Sequence, residues 1–236
     1  MYSTARSVKA FRSHPLILPG GAFFACVAGM INTVGLLSAT HSAVSHMTGT
    51  VSHLMIASYN GNSWLAFRAG IMLLAFLIGA VLSGAVISNE SFGFHRRYGV
   101  LIFLEGLVLL IASACFQHEL FITGEGLCAF ICGMQNGMVT VISSAIVRTT
   151  HVTGIITDLG TQLGQALRGG SLHWQRIRIH LAILIGFCAG GFGAGFLFYR
   201  LEYGLLDGLA GLLMLIGLIY FLVRRLRPHW LWLDKQ

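Results

Sequence analysis

The sequence predicts an all-α polytopic membrane protein made of two inverted three-span repeats, each with a short re-entrant or broken half-helix. Composition, an internal repeat and the lengths of the apolar stretches lead there. Of 236 residues, 56% are hydrophobic and 10% are charged, with a mean hydropathy of +0.78. Soluble domains carry about 25% charged residues, so a soluble fold would lack the polar side chains to cover its surface. Thirty glycines against three prolines fit membrane helices, which use Gly for close approach. Soluble enzymes, nucleic-acid modules and disulfide scaffolds are thereby excluded. The net charge of +7 does not signal nucleic acid, because the basic residues fall between apolar spans. There they act as topology signals facing an anionic leaflet. Cys26, Cys115, Cys128, Cys132 and Cys188 all lie in apolar stretches without a Cys-x-x-Cys pair, and read as small core residues.

The chain repeats itself. Gly29-Met30-Ile31-Asn32 returns as Gly133-Met134-Gln135-Asn136. His46-Met47-Thr48-Gly49, followed by Leu54, returns as His151-Val152-Thr153-Gly154, followed by Leu159. Trp64 and Arg68 match Trp174 and Arg178, while Phe76, Gly79 and Gly84 match Phe187, Gly190 and Gly195. Tyr98-Gly99 matches Tyr203-Gly204. The order is kept throughout, the halving that marks many transporter folds.

A full span needs about 20 apolar residues. Six stretches reach or approach that: 16–38, 67–87, 99–116, 122–147, 179–199 and 205–223. Residues 48–59 and 154–167 are too short and too polar, with Ser52, His53, Thr157, Asp158, Gln162 and Gln165 among them. Charge decides whether these two cross or re-enter. Eight crossings leave 11 of the 15 basic residues inside and 4 outside, whereas six crossings leave 13 inside and only Arg68 and Arg200 outside. Six spans are therefore expected, with both termini cytoplasmic. Three spans per half is odd, so the second half should be inverted and the short segments should enter from opposite faces. The expected organisation is a cytoplasmic segment 1–15, a first repeat 16–118, a second repeat 119–224 and a cytoplasmic tail 225–236.

On these residues the chain resembles the YoaK family, small multi-pass bacterial membrane proteins known mainly as a domain of unknown function. The resemblance rests on Val44-Ser45-His46-Met47-Thr48-Gly49 and on Arg148-Thr149-Thr150-His151-Val152-Thr153-Gly154 with Thr157-Asp158-Leu159-Gly160. It implies a bacterial inner-membrane location and no established substrate or reaction. The family usually has an acidic residue where Asn32 stands and Asn where Thr50 stands, so an acidic proton carrier at position 32 is missing here.

The His-x-Thr-Gly motifs carry the functional expectation. Gly permits a tight turn, Thr can cap the short helix that follows, and the helix end offers free N–H groups and a positive dipole end. Two such ends facing one another at mid-membrane suit an anion or a polar group. The candidate solute-binding residues are Asn32, His46, Thr48, Gly49, Asn136, Arg148, His151, Thr153, Gly154 and Asp158. Arg148 can approach His151 or pair with Asp158. Charged residues in apolar spans are functional suspects, which makes Asp158 and Glu105 the candidates for proton or ion coupling; Asp207 lies nearer an interface. His41, His46 and His53 cluster but lack zinc spacing, and neither a catalytic residue, a metal nor a cofactor is expected. Gly133-x3-Gly137, Gly186-x3-Gly190, Gly191-x3-Gly195 and Gly204-x3-Gly208 are small-xxx-small packing faces, and Gly160-x3-Gly164 on a short segment can let substrate or a neighbouring helix come near.

The expected function is a transporter or channel for a small polar solute, anions included, held between the two motifs. Its partners are the lipid bilayer and that solute, with no nucleic acid and with room for a homo-oligomer. The rival readings are an intramembrane metal-dependent enzyme, built on His46, His151 and Asp158, and a non-transporting scaffold or partner protein.

Overall fold

The computed structural model describes residues 17–87, 96–142 and 148–226. The expected N-terminal segment 1–15 lies outside them, as do residues 227–236 of the tail. Eight helices and no strand are found among the described residues. They are α1 (Ile17–Leu37), α2 (Met47–Tyr59), α3 (Ser63–Val86), α4 (Arg96–Gln117), α5 (Phe121–Ile142), α6 (Val152–Leu167), α7 (Trp174–Leu201) and α8 (Gly204–Leu226).

Five of them, α1, α3, α4, α7 and α8, are long and apolar enough to cross a membrane, and the chain is a multi-pass membrane protein. The sixth expected span, α5, has 22 residues but is not among these five. It carries Glu125, Gln135 and Asn136, all buried, and sits against α1, α3 and α4. Protein, not lipid, surrounds its polar side chains, so it can be less hydrophobic than its neighbours. Several helices start earlier than the apolar runs suggest. The Asn62 side chain accepts a hydrogen bond from Leu65 N (3.1 Å) and so starts α3 at Ser63 instead of 67. α7 likewise begins at Trp174, not 179.

The two short segments are helices of 13 and 16 residues, about 20 and 24 Å long at 1.5 Å per residue. Both are shorter than a hydrocarbon core of about 30 Å. Each ends at a glycine with positive φ, Gly61 (+68°) after α2 and Gly169 (+82°) after α6, a conformation that terminates a helix with little strain only at Gly.

The principal helix pairs are α1 with α7, α3 with α5 and α4 with α8. Each joins one half of the sequence to the other. The contacts recur at matched positions. A Cβ on Gly29 would stand 2.2 Å from the carbonyl oxygen of Phe187, and one on Gly133 would stand 2.0 Å from that of Phe76. Gly79 meets the Phe130 carbonyl in the same way, at 2.0 Å, and its match Gly190 meets that of Cys26 at 1.9 Å. Only glycine lets the backbones come this close. Other expected packing glycines behave differently: Gly160, Gly164, Gly195, Gly204 and Gly208 have nothing within 4 Å of a built Cβ.

Candidate functional site

The loops that lead into the two short helices are each pinned by an asparagine of the preceding long helix. Asn32 Oδ1 accepts hydrogen bonds from Ser45 N (3.1 Å) and Ser45 Oγ (2.9 Å). Asn136 Oδ1 accepts from Thr149 N (3.0 Å) and Thr149 Oγ1 (3.2 Å), again thirteen residues on. Asn136 Nδ2 donates to Thr150 Oγ1 at 2.6 Å. A buried amide that satisfies a loop's backbone N–H fixes where the next helix begins.

The structure changes the expected roles within the His-x-Thr-Gly motifs. His46 and His151, not the threonines, hold the N-cap positions, and neither makes a side-chain capping bond. Thr48 and Thr153 come two residues later, inside the first turn. The first intrahelical bonds are Thr50 N to His46 O and Ile155 N to His151 O, both 3.1 Å, so earlier N–H groups have no partner in their own helix. The glycines also serve a different end. Neither Gly49 nor Gly154 has positive φ. A Cβ at Gly49 would lie 2.7 Å from His46 Nδ1, and one at Gly154 would lie 2.2 Å from His151 Nδ1. Each glycine leaves space for the imidazole of its own N-cap residue to fold over the first turn.

Both motifs open onto one cavity of about 830 Å³. His46 and Thr48 line it from α2, and His151 and Thr153 from α6. Asn32, Asn136 and the matched phenyl rings of Phe76 and Phe187 also contribute. Arg148, exposed, is the one Lys, Arg, Asp or Glu among its described lining residues. It forms no ion pair with a described residue. Two helix N-termini, one guanidinium and no carboxylate make this wall positive in potential.

Other expected site residues lie elsewhere. Asp158 pairs with His180 instead of Arg148: Oδ2 is 3.6 Å from His180 Nε2, with the imidazole buried and the carboxylate half-exposed. Glu105 is fully buried and accepts a hydrogen bond from Gln135 Nε2. It lines neither this cavity nor the next one described. Asp207 accepts from Gln117 Nε2 at 3.1 Å in the first turn of α8.

Sequence reasoning missed Glu125. Its carboxylate is fully buried and takes a forked pair of bonds from Arg68, Nε to Oε2 at 2.9 Å and Nη2 to Oε1 at 2.8 Å. Thr40 Oγ1 donates to the same carboxylate, while Arg68 Nη2 also donates to Thr40 O (3.3 Å) and Ser42 Oγ. Arg68, expected at the outer end of the 67–87 span, thus ties α3, α5 and the loop after α1 together. The signal was present, since Glu125 is the one charged residue in the 122–147 stretch before Arg148. His180 gives no stronger signal, as a lone histidine inside the 179–199 apolar run. Beside Arg68 lies a second cavity of about 240 Å³, where His41, His46 and His53 come together. Among the described residues no group of three or more His, Cys, Asp or Glu could hold a metal ion.

These features define a class: a multi-pass α-helical membrane protein with a cavity, lined by polar and apolar side chains, between the starts of two short helices. Residues 20–219 match the model of the family described as "Protein of unknown function (DUF1275)", and the chain belongs to that family, which includes YoaK. Over 134 residues, 55% of this chain, it is 26% identical to a low-affinity glucose transporter of Kluyveromyces lactis. The match covers 21% of that protein, so the chain spans about a fifth of the curated relative's length. No solved structure matches.

Proposed function

We propose that the protein passes a small polar solute, with anions favoured, across a bacterial inner membrane by way of the cavity between α2 and α6. The observation that carries this reading is the cavity's wall: His46, Thr48, His151 and Thr153 of the two motifs, Arg148 and no carboxylate among the described lining residues. N–H groups at the two helix starts, without a partner in their own helix, and the guanidinium are donors with no matching carboxylate among the described lining residues, and dry they would be costly. A solute rich in acceptors complements them.

The reading takes the halves as inverted repeats, with α2 and α6 as half-helices entering from opposite faces and both termini cytoplasmic. Matched glycine contacts and the matched asparagine pins support it. So does the path of the chain, since each short helix begins at the cavity and ends where the next long helix starts. Asp158, paired with His180 beside α6, is the better candidate for proton coupling; Glu105, sealed against Gln135, is the lesser one.

A flux assay in proteoliposomes tests the reading, with chloride, nitrate, acetate, phosphate and glucose as separate solutes. Glucose is included because the partial relative is named as a glucose transporter. Arg148→Gln should lower anion flux by about tenfold or more, the worth of one charge-assisted hydrogen bond, and leave glucose flux unchanged. Glucose flux without anion flux would replace the anion with a neutral solute. No flux of any solute above empty liposomes would overturn the transport reading in favour of a scaffold.

A further inference from the structure

The 240 Å³ cavity beside α2 and the 830 Å³ cavity between the short helices share one lining motif residue, His46. We propose that the smaller cavity is the entry vestibule from the face where α1 ends and α3 begins, and that the His46 imidazole is the movable partition between vestibule and central cavity. This rests on the reading of the central cavity as the solute's station.

The vestibule is built to admit polar molecules without choosing their charge. Its one cation, Arg68, is neutralised by the forked bond to Glu125. What remains are the imidazoles of His41 and His53 and the hydroxyls of Ser42 and Thr50, groups that both donate and accept. His41 is held in place, its Nδ1 3.0 Å from Leu36 O. Selection by charge therefore falls to Arg148, on the far side of His46.

His46 is placed to move. It caps α2 with its backbone only, and its side chain makes no capping bond. The ring rests over Gly49, where a Cβ would stand 2.7 Å from Nδ1. Because residue 49 lacks that Cβ, the ring can swing about its χ angles without unwinding the helix. The loop behind it is fixed by Asn32 and Ser45, so motion is confined to the side chain. A rotamer change of this kind takes picoseconds to nanoseconds where the ring is free, and it joins the two cavities without a rearrangement of helices.

The test is cysteine accessibility in sealed vesicles, with a charged, membrane-impermeant methanethiosulfonate applied to one face at a time. Labelling is read by peptide mass spectrometry, so the native cysteines are counted separately. Leu65→Cys probes the vestibule and Ala80→Cys the central cavity. From the α1-end face, Leu65→Cys should be labelled quickly whatever stands at 46. Ala80→Cys should be labelled about tenfold faster or more when combined with His46→Ala, in proportion to the open fraction, while His46→Phe keeps it slow. Equal labelling of Ala80→Cys with His46 and with His46→Ala would overturn the partition, and an unreactive Leu65→Cys would overturn the vestibule. If His46→Ala fails to elute as a folded protein, the same comparison is made with His46→Ser. With His46 intact, Leu65→Cys labelling faster than Ala80→Cys is already required, and the reverse order refutes the proposal. The expected labelling without flux of any solute would refute the transport reading alone and leave the partition standing.

Discussion

The Arg68–Glu125 pair should be one of the strongest single determinants of stability in the protein. Replacing Arg68 by Met keeps most of the side chain's length and removes its charge and donors. Glu125 then loses both forked bonds, of 2.9 and 2.8 Å, and keeps the Thr40 hydroxyl. The carboxylate is fully buried and lines neither cavity, and the guanidinium is only 12% exposed, so water from the vestibule replaces the lost donors only in part. Breaking such a pair from one side costs about 3–5 kcal/mol, whereas removing both members together is often close to neutral. Arg68→Met and Glu125→Met should therefore each destabilise by about 3 kcal/mol or more, and the double variant by far less than their sum. Reversible unfolding in mixed micelles titrated with SDS, followed by tryptophan fluorescence, measures all three. Single variants within about 1 kcal/mol of the parent, or additive effects in the double variant, would refute the reasoning. The pair would then be a solvated contact, and the loop that Arg68 holds through Thr40 and Ser42 would need another anchor.

Gly29→Ala and Gly133→Ala should each cost about 1–3 kcal/mol in the same titration, because the new methyl would meet a facing carbonyl at 2.2 and 2.0 Å; Gly195→Ala and Gly208→Ala, with open space around them, should stay within about 0.5 kcal/mol. Gly154→Ala should displace the His151 imidazole from the first turn of α6, raising amide hydrogen exchange at 152–155, whereas Gly160→Ala should leave exchange there unchanged. Asp158→Asn should abolish any proton dependence of flux, while Glu105→Gln, which keeps a side chain of the same shape against Gln135, should leave it in place; a loss with Glu105→Gln alone would move the coupling site into the α4–α5 interface.

The elements that sequence makes legible are those set by a regular spacing or by length. Matched glycines such as Gly29 and Gly133 announce themselves by recurrence, and they prove to be points where backbones touch. The two His-x-Thr-Gly stretches are likewise legible as a pair, and the structure brings His46 and His151 to one cavity. Which atom of each motif does what was not legible. The choice between Thr48 and His46 as N-cap turns on two residues of helix register, and both lie beside the same polar turn. The role of Gly49 depends on where the imidazole of residue 46 rests, a side-chain fact that φ preferences do not encode. Arg68 and Glu125 lie 57 residues apart in sequence, and no periodicity links them. Each reads alone as a loop cation or a stray acid, and only the packing of α3 on α5 makes them a pair. Proximity in sequence places Asp158 beside the motif, yet helical rotation turns it towards His180 on α7.

The two halves differ in a way that physical cost explains. At the 105-residue offset that joins Gly49 to Gly154, Arg148 falls on Ala43. The backbone contacts have matched partners; this wall charge does not. Changing a glycine that faces a carbonyl at about 2 Å forces two helices apart, so those positions cannot drift without loss of the fold. A side chain on a cavity wall meets no such penalty, because water or solute solvates what is placed there. A matched framework with an unmatched wall charge is therefore what remains when packing is constrained in both halves and wall chemistry is free to differ. Arg148, on the cavity wall and without a counterion among the described residues, belongs to the second kind. Among the described residues its charge forms no ion pair between helices, which is why its removal should alter what the cavity accepts before it alters how the protein folds.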